Sequence, residues 1–387
     1  MRNIAFLFLC EAFSRTGSIV VLSSMALVGR ELAPHAALAT LPLALAPVST
    51  MLMTVPAARL MQRRGRKVGF ALGAILGVVG GLVGCAALFN EDFVLLCMGA
   101  VGIGAVNGFS TYYRFAAAEV VDESWRSRAI SLVMAGGIVA AVAGSNLASW
   151  SRGLFPEHLF AGSYLAIAAI QVLVLCALSF VRFPVPSQAE SRGGGRSLRE
   201  IARDPRFAIA LVGAVASWAV MSLLMNATPL SMHRHMHSFD DTAWVIQWHV
   251  LGMFVPSFFT GHLIIRFGEG RIMAGGLLLL ALSALTNLGG VALHNYAVGL
   301  ALLGVGWNLL FVGATSLLAT VYKPEEKARV QSANDFLIYG LMVLTTFGSA
   351  PLEEAVGWEA LNLFALPLLA CVASVMWMIH RRARPAV

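Results

Sequence analysis

Charged residues are scarce in this sequence: Asp, Glu, Lys and Arg together make up 12% of the 387 residues. That is about half the share that is usual in soluble globular proteins. A soluble chain of this length would fold around two or three hydrophobic cores, each of which needs a polar surface. Because hydrophobic residues account for 58% of the chain, no such surface can be assembled, and the composition excludes an ordinary soluble protein.

Cysteine is scarce too, with five residues that lie apart in apolar runs and form no C-x-x-C pair. We expect these side chains to be small buried hydrophobic groups. The sequence also has no Walker loop, no dinucleotide-binding pattern and no arrangement typical of a catalytic triad. These absences argue against an ATP-driven pump, and neither an enzyme nor a bound cofactor is expected.

Apolar runs of about twenty residues recur from end to end, and each is long enough to cross about 30 Å of hydrocarbon as a helix. Helices satisfy their own backbone hydrogen bonds where water is absent, and the alternating strands of a membrane barrel are not found. Glu11 and Arg15 interrupt the first run and no cleavage site follows it, so we expect a retained helix and not a signal peptide. The predicted fold class is an all-α membrane protein. Its twelve predicted helices are residues 4–28, 38–60, 68–89, 93–118, 130–150, 160–181, 207–230, 241–266, 272–292, 295–321, 330–350 and 359–380.

The Lys and Arg residues are distributed unevenly between the two predicted faces of the membrane. With both termini placed in the cytoplasm, only Arg30, Arg152 and Arg234 of the 27 Lys and Arg residues fall in periplasmic loops. Arg15 and Arg114 lie within helices, and all the others fall in cytoplasmic segments. This positive-inside pattern predicts a multi-pass protein of the cell inner membrane with both termini in the cytoplasm. It explains the net charge of +7 without a nucleic-acid partner.

The longest polar break lies between residues 182 and 206 and contains Pro184, Pro186 and a run of three glycines. Proline, glycine and charged residues are typical of an exposed linker. We therefore predict an N-terminal half over residues 1–181, a cytoplasmic linker over residues 182–206 and a C-terminal half over residues 207–387. Each half contains six of the predicted helices.

Two loops indicate that the halves repeat one another. Residues 58–67, after helix 2, read ARLMQRRGRK, and residues 261–271, after helix 8, read GHLIIRFGEGR, an offset of 203 residues. Both resemble the helix 2–3 loop of the major facilitator superfamily, G-x-x-x-D-R-x-G-R-R. This resemblance implies a twelve-helix transporter with parallel halves around a central substrate site. Gln62 and Ile265 replace the acidic residue of that motif and Ala58 replaces its first glycine, so the role of the aspartate does not transfer to this chain.

Two pairs of soft metal-ligand residues lie on neighbouring helices of the C-terminal half. Met221 and Met225 are four residues apart on helix 7, and His249 and Met253 are four apart on helix 8, so each pair projects from one helix face. At 1.5 Å per residue both pairs lie at similar depths, and we expect them to converge on one ion. The Met pair alone carries little weight, because Met is common packing material. Histidine within a membrane helix is rarer and more often functional.

Five further donors follow helix 7 in the connecting segment, and we expect this loop to capture ions on the periplasmic side. They are Met232, His233, His235, Met236 and His237. Thioether and imidazole ligands favour copper, whereas Mg²⁺ or Mn²⁺ would require several carboxylates and zinc would require more Cys or His. The residues alone therefore favour copper as the transported substrate, and they indicate neither its direction nor its oxidation state.

The order and spacing of the two pairs look like those of the CcoA-type copper importers, a subfamily of the major facilitator superfamily. This resemblance implies copper uptake into the cytoplasm for cytochrome oxidase assembly, with Met221, Met225, His249 and Met253 as the transport site. It also leads us to expect a monomer, surrounded by membrane lipid, with a copper chaperone as partner.

Two alternatives remain open. The first is a small organic molecule such as riboflavin or a drug, with Trp218, Trp248 and Tyr339 stacking on it. Relatives of the copper importers carry riboflavin, and a fold alone does not fix the substrate. The second is a membrane copper sensor or assembly factor that transports nothing.

Four charged residues fall within predicted helices, away from the helix ends. Glu11 and Arg15 are one turn apart on helix 1, Arg114 lies in helix 4 and Asp335 in helix 11. Charges inside a membrane are costly and usually face a cavity or a partner. One interpretation makes Glu11 or Asp335 a proton-coupling carboxylate. The other makes Glu11 and Arg15 a structural pair and Asp335 part of a gate.

Overall fold

The structure is a computed structural model that describes residues 2–35, 38, 40–185 and 194–383. The described part of the chain consists of helices joined by short connecting segments, which confirms the predicted fold class. Residues 186–193 of the predicted linker lie outside the described residues. The helices are α1 (Arg2–Leu32), α2 (Leu41–Arg64), α3 (Arg66–Phe89), α4 (Phe93–Ser110 and Tyr113–Glu119), α5 (Arg126–Met134 and Gly136–Arg152), α6 (Ala161–Phe180), α7 (Pro205–Arg234), α8 (Phe239–Phe254 and Ser257–Phe267), α9 (Glu269–Leu288), α10 (Leu293–Leu318) and a continuous run, Lys327–Ala383, that contains α11 and α12.

Several observed helices are interrupted, joined or ended at positions that differ from the predicted ones. α8 is interrupted between its two pieces because Pro256 has no N–H and its ring clashes with the preceding turn. α11 and α12 are joined directly at Gly357, whose φ of 80° breaks the helix without a loop. α7 continues to Arg234, four residues beyond its predicted end, so the segment expected to be a loop is partly helical.

Helices long enough for a bilayer dominate the structure. In the part of the chain that the structure describes, eleven helices are long and apolar enough to cross a membrane, namely α1 to α10 and the segment Pro351–Ile379. α11 is helical as well, and its first turns carry Gln331, Asn334 and Asp335. The arrangement is that of a membrane protein with about twelve spanning helices.

The two similar loops adopt the same backbone conformation. Gly65, between α2 and α3, has φ 88° and ψ 162°, and Gly268, between α8 and α9, has φ 83° and ψ 154°. Residues with a Cβ rarely adopt such positive φ values, so glycine is required at both turns. The repeat predicted from the sequence therefore extends to the local geometry.

The chain divides into two compact units that exchange short segments. Unit 1 consists of Met1–Asp122, Val133–Gly194 and Pro324–Tyr339, and unit 2 of the remaining segments, Glu123–Leu132, Gly195–Lys323 and Gly340–Val387. Unit 1 thus contains the start of α11, and unit 2 contains the start of α5. The boundary between the N-terminal and C-terminal halves, at the linker of residues 182–206, stays a prediction.

α10 is the helix around which unit 2 is built. α7, α8 and α9 all pack along it, and it is among the most buried of the spanning helices. α8 approaches α10 closely at Gly304, where a Cβ would overlap the backbone oxygen of His249. This close crossing fixes the part of α8 that carries His249 and Met253.

Candidate substrate site

His249 is held in one orientation by α10. Its ring is fully buried, and Nδ1 lies 2.9 Å from the backbone oxygen of Leu300. Because a carbonyl oxygen only accepts, Nδ1 carries the proton and Nε2 keeps its lone pair. Nε2 has no hydrogen-bond partner among the described residues. A ring oriented by a backbone carbonyl, with its other nitrogen free, is the usual arrangement of a metal-ligating histidine.

The methionines of the two pairs are less available than the sequence suggests. Met221 and Met253 are buried, and Met225 is half-buried. α7 and α8 each lie mainly along α10 and touch one another only locally. In the described part of the chain, no group of three or more His, Cys, Asp and Glu side chains is placed to hold a metal ion. A metal site here would therefore depend on the thioethers, and the convergence of the two pairs stays a prediction.

The segment after Pro229 differs from a flexible loop of free donors. Met232 lies on the last turns of α7 and is fully buried. His235 Nδ1 lies 2.8 Å from the backbone oxygen of Ser231, and His237 Nε2 lies 2.8 Å from that of Val291. The remaining two donors, at positions 233 and 236, are exposed. Because α7 continues beyond its predicted end, Met232 is buried, and hydrogen bonds to backbone oxygens occupy one ring nitrogen each of His235 and His237.

An aromatic cluster in unit 2 was missed by the sequence reasoning except for Trp218. The Trp218 ring meets the Trp307 ring edge-on at 5.1 Å between centroids, and Trp307 stacks on Phe311 at 5.1 Å. Phe254 adds a fourth ring, 6.1 Å from Trp307. The signal available in the sequence was the spacing of Trp307 and Phe311, which places them on one face of α10.

The three aromatic residues expected to stack on an organic substrate lie in different surroundings. Trp218 is buried in the cluster just described. Tyr339 is buried in unit 1, close enough to the Arg15 side chain to form a hydrogen bond. Trp248 is 48% exposed and lies beside Trp244. Of the three, Trp248 presents its ring most openly.

The buried charges of unit 1 form pairs. Arg15 Nε donates to Glu11 Oε1 at 2.9 Å, as the structural interpretation expects. Arg114 donates to the buried Asp335, which also accepts hydrogen bonds from Thr111 and Asn334. The structure thus places all four predicted charges in pairs, and their roles in coupling or gating stay predictions.

A second charged group in unit 1 surrounds the α2–α3 turn. Arg66 donates to Glu119 at 2.6 Å and to Gln331 at 2.7 Å. Lys327 forms an ion pair with the same glutamate at 3.5 Å. Sequence reasoning included Arg66 in the loop motif but missed its partners, because they follow Arg66 by 53 and 265 residues.

Neutral polar groups lie beside Met225, between α7 and α11. Ser222 and Thr345 share a hydrogen bond of 2.5 Å, and Asn226 Nδ2 lies 3.2 Å from Thr346 Oγ1. Ser222 is buried, and Asn226, Thr345 and Thr346 are half-buried. They provide neutral hydroxyl and amide groups in unit 2.

Spanning helices, a repeated turn and buried polar groups along the helices are typical of secondary membrane transporters. The sequence matches the Major Facilitator Superfamily over residues 4–237 and 210–387, so the chain belongs to this family. It is a membrane transporter that works by alternating access.

Individual relatives agree with this assignment. The riboflavin transporter RfnT of Brucella anthropi is 39% identical over 373 residues, which cover 96% of this chain and 94% of that protein. The human organic anion transporter MFSD10 (TETRAN) superposes with a TM-score of 0.78 over 97% of this chain and 99% of the other, at 15% identity. A bacterial homologue of the iron transporter ferroportin gives 0.77 over 98% and 100%, at 14% identity. At such identities the two structures indicate the fold alone.

Proposed function

We propose that this protein carries riboflavin, or a molecule with the same flat ring system, across the cell inner membrane. The observation that carries the proposal is the 39% identity to the riboflavin transporter RfnT over 96% of this chain. Copper import is the first interpretation of the Met and His pairs, but this relative favours the organic-molecule alternative. We therefore rank riboflavin first and copper second.

The neutral polar groups of unit 2 support an organic substrate. Riboflavin joins a flat aromatic ring to a chain of hydroxyl groups, so its site needs aromatic side chains and neutral hydrogen-bonding groups. Ser222, Asn226, Thr345 and Thr346 are groups of the second kind, and they lie together between α7 and α11. None of them carries a charge, which suits an uncharged hydroxyl chain.

The charge pairs of unit 1 support a gating role at the predicted cytoplasmic face. Residues 324–339 belong to the C-terminal half of the sequence but pack within unit 1. If the two six-helix halves rock against each other, the bonds from Arg114 to Asp335 and from Arg66 to Gln331 must break. Release of Asp335 would then expose a carboxylate that can bind a proton, which links transport to a pH gradient.

Uptake into proteoliposomes tests the proposed substrate. Purified protein reconstituted into vesicles should take up radiolabelled riboflavin with saturable kinetics, and unlabelled riboflavin should compete. An imposed pH gradient should change the rate if the carboxylate is coupled. Empty vesicles and vesicles containing the Asp335→Asn variant are the controls. Uptake no faster than in empty vesicles would overturn the riboflavin proposal.

Copper is the second candidate, and the specific observation that favours it is the His249 ring. Its Nδ1 donates to Leu300 and its Nε2 is left without a partner, as expected of a metal ligand. Vesicles prepared in the same way should then take up copper, and Met221→Leu should reduce that uptake because it removes sulfur at constant volume. Riboflavin uptake without copper uptake would leave His249 a packing residue.

A further inference from the structure

Three exposed side chains lie together on the first piece of α8. Trp244, Gln247 and Trp248 share one helix face, because positions i, i+3 and i+4 are neighbours on a helix. The two indoles are 46% and 48% exposed, and their centroids lie 6.1 Å apart at an interplanar angle of 74°. We call this set the Trp–Gln face.

The depth of Gln247 indicates that this face is wet. α8 begins at Phe239 after a capping box in which Ser238 and Asp241 exchange hydrogen bonds. Gln247 follows eight residues later, about 12 Å along the helix at 1.5 Å per residue. Its exposed amide makes no hydrogen bond to any residue that the structure describes. An unpaired amide at that depth in hydrocarbon is costly, so the face is better placed in a water-filled cavity than against lipid.

Trp248 does not fit the alternative of an interfacial belt. Belt tryptophans lie at the level of the lipid headgroups. Trp248 lies about 14 Å beyond the start of α8, well below that level. The opposite side of the same helix turn is occupied, since His249 is fully buried against α10. The Trp–Gln face is therefore a free surface of aromatic rings and one amide on a helix that is fixed from behind.

We propose that the Trp–Gln face binds the flat heteroaromatic ring of a flavin, an inference that rests on the proposed function. An indole offers a stacking surface of similar size to a fused ring system. The pyrimidine edge of the flavin ring presents an imide N–H between two carbonyl groups. The Gln247 amide can accept from that N–H and donate to one carbonyl, as glutamine does to the edge of adenine. Trp248 and Trp244 thus supply affinity, and Gln247 supplies specificity for the imide edge.

Competition with N3-methylriboflavin tests the role of Gln247. The methyl group removes the imide N–H and leaves the rest of the ring intact. In proteoliposomes, wild-type protein should prefer riboflavin over the methylated analogue by about fivefold, the effect of one neutral hydrogen bond. Gln247→Leu should raise the KM for riboflavin by about the same factor and abolish the preference. Trp248→Leu should raise the KM for both compounds about tenfold, and Trp248→Phe should raise it less.

Matched controls separate this inference from a loss of folding. Trp377 on α12 is 55% exposed, so Trp377→Leu should leave both KM values unchanged. Quenching of riboflavin fluorescence by purified protein should weaken in Trp248→Leu and persist in Trp377→Leu, and membrane levels should be equal. Wild-type uptake with an unchanged preference in Gln247→Leu would overturn the inference and leave the proposed function standing. No riboflavin uptake by the wild type would overturn both.

Discussion

Unit 1 and unit 2 share a repeated turn but differ in how they use buried polar residues. Unit 1 buries both partners of the pair Arg114–Asp335 and the guanidinium of Arg66 beside Glu119, whereas the buried polar groups of unit 2 include the neutral His249 and Asn308. The buried carboxylate of unit 2, Glu353, pairs with an exposed arginine, Arg234. In this part of the repeat the offset is 201 residues, the distance between the short 3-10 turns Glu123–Trp125 and Pro324–Glu326. Arg114 then corresponds to Thr315 and Asp335 to Met134, and neither counterpart is charged. The two repeats therefore share a backbone conformation at the turn but differ in their buried charges.

This difference suggests a division of labour between the units. Ion pairs between helices are directional and can break and re-form, which suits a gate. Aromatic rings and neutral amides recognise an uncharged ring without requiring a compensating ion. Other buried polar groups of unit 2 form hydrogen bonds with one another and with the backbone. Asn308 donates to the backbone oxygen of Met253 at 2.7 Å and to Ser257 at 2.6 Å, and it accepts from Thr260, so it stabilises the break in α8.

The largest expected effect comes from replacing the buried Arg114–Asp335 pair of unit 1 with leucines. Asp335→Leu alone should destabilise the protein by about 3–5 kcal/mol, because it leaves the Arg114 guanidinium buried without its carboxylate. The double variant Arg114→Leu with Asp335→Leu should recover most of that stability, since apolar residues often replace a buried pair at little cost. Thermal unfolding in detergent and abundance in membranes measure both. Uptake should stay low in the double variant if the pair is a gate. Full uptake by the double variant would show that the pair only contributes to stability.

A smaller effect tests what the two units share. Gly65→Ala and Gly268→Ala should each destabilise the protein by about 1–3 kcal/mol, because both turns require a positive φ that alanine adopts with strain. Unfolding temperatures of the two variants, measured side by side, provide the comparison. Gly270→Ala is the control, since that glycine is not at a positive φ and a Cβ there would meet nothing within 4 Å. If only one of the two turn variants is destabilised, the turns are not equivalent.

The fold could be predicted because its signals are local or periodic. Apolar runs gave the helices, and the loops at residues 58–67 and 261–271 gave the repeat. The breaks were harder to predict. Pro256 could have indicated the interruption of α8, but Pro229 lies inside α7 without ending it, since helix packing decides which proline breaks a membrane helix.

The candidate site was only partly predictable, because side-chain orientation depends on distant partners. The i, i+4 spacing predicts that Met221 and Met225 share one face of α7, but it does not indicate whether that face meets α8 or α10. Asp335 was singled out as a buried charge, while its partner Arg114 lies 221 residues away. The sequence alone does not indicate a binding role for Gln247, because that inference requires both the exposure of its side chain and its position along α8.

A prediction of smaller size asks whether the methionines of unit 2 are packing or ligands. Met221→Leu and Met253→Leu conserve volume, so each should cost less than about 1.5 kcal/mol. Riboflavin uptake should stay within about twofold of wild type, which corresponds to less than half a kcal/mol. Copper uptake by the same vesicles is the second readout. A strong loss of copper uptake together with unchanged riboflavin uptake would establish two substrates and weaken the simple division between the units.

The smallest expected effect concerns the segment that follows α7, where neighbouring donors differ in burial. Met236 is 90% exposed and His233 is exposed, whereas Met232 is fully buried. Replacing the exposed pair with serine should change stability by less than about 0.5 kcal/mol, because exposed side chains away from special contacts contribute little. Met232→Ser should cost more stability, about 2 kcal/mol or above, since it leaves a cavity and buries a hydroxyl.

Uptake by the variant with both exposed residues replaced separates the two substrates. For a flavin carrier, replacing the exposed pair should leave uptake unchanged at every substrate concentration. For a copper carrier that captures ions at this segment, the same pair should slow uptake when copper is scarce and have no effect when copper is abundant. Uptake measured across a range of copper concentrations therefore decides whether these donors serve unit 2 or are only its solvated surface.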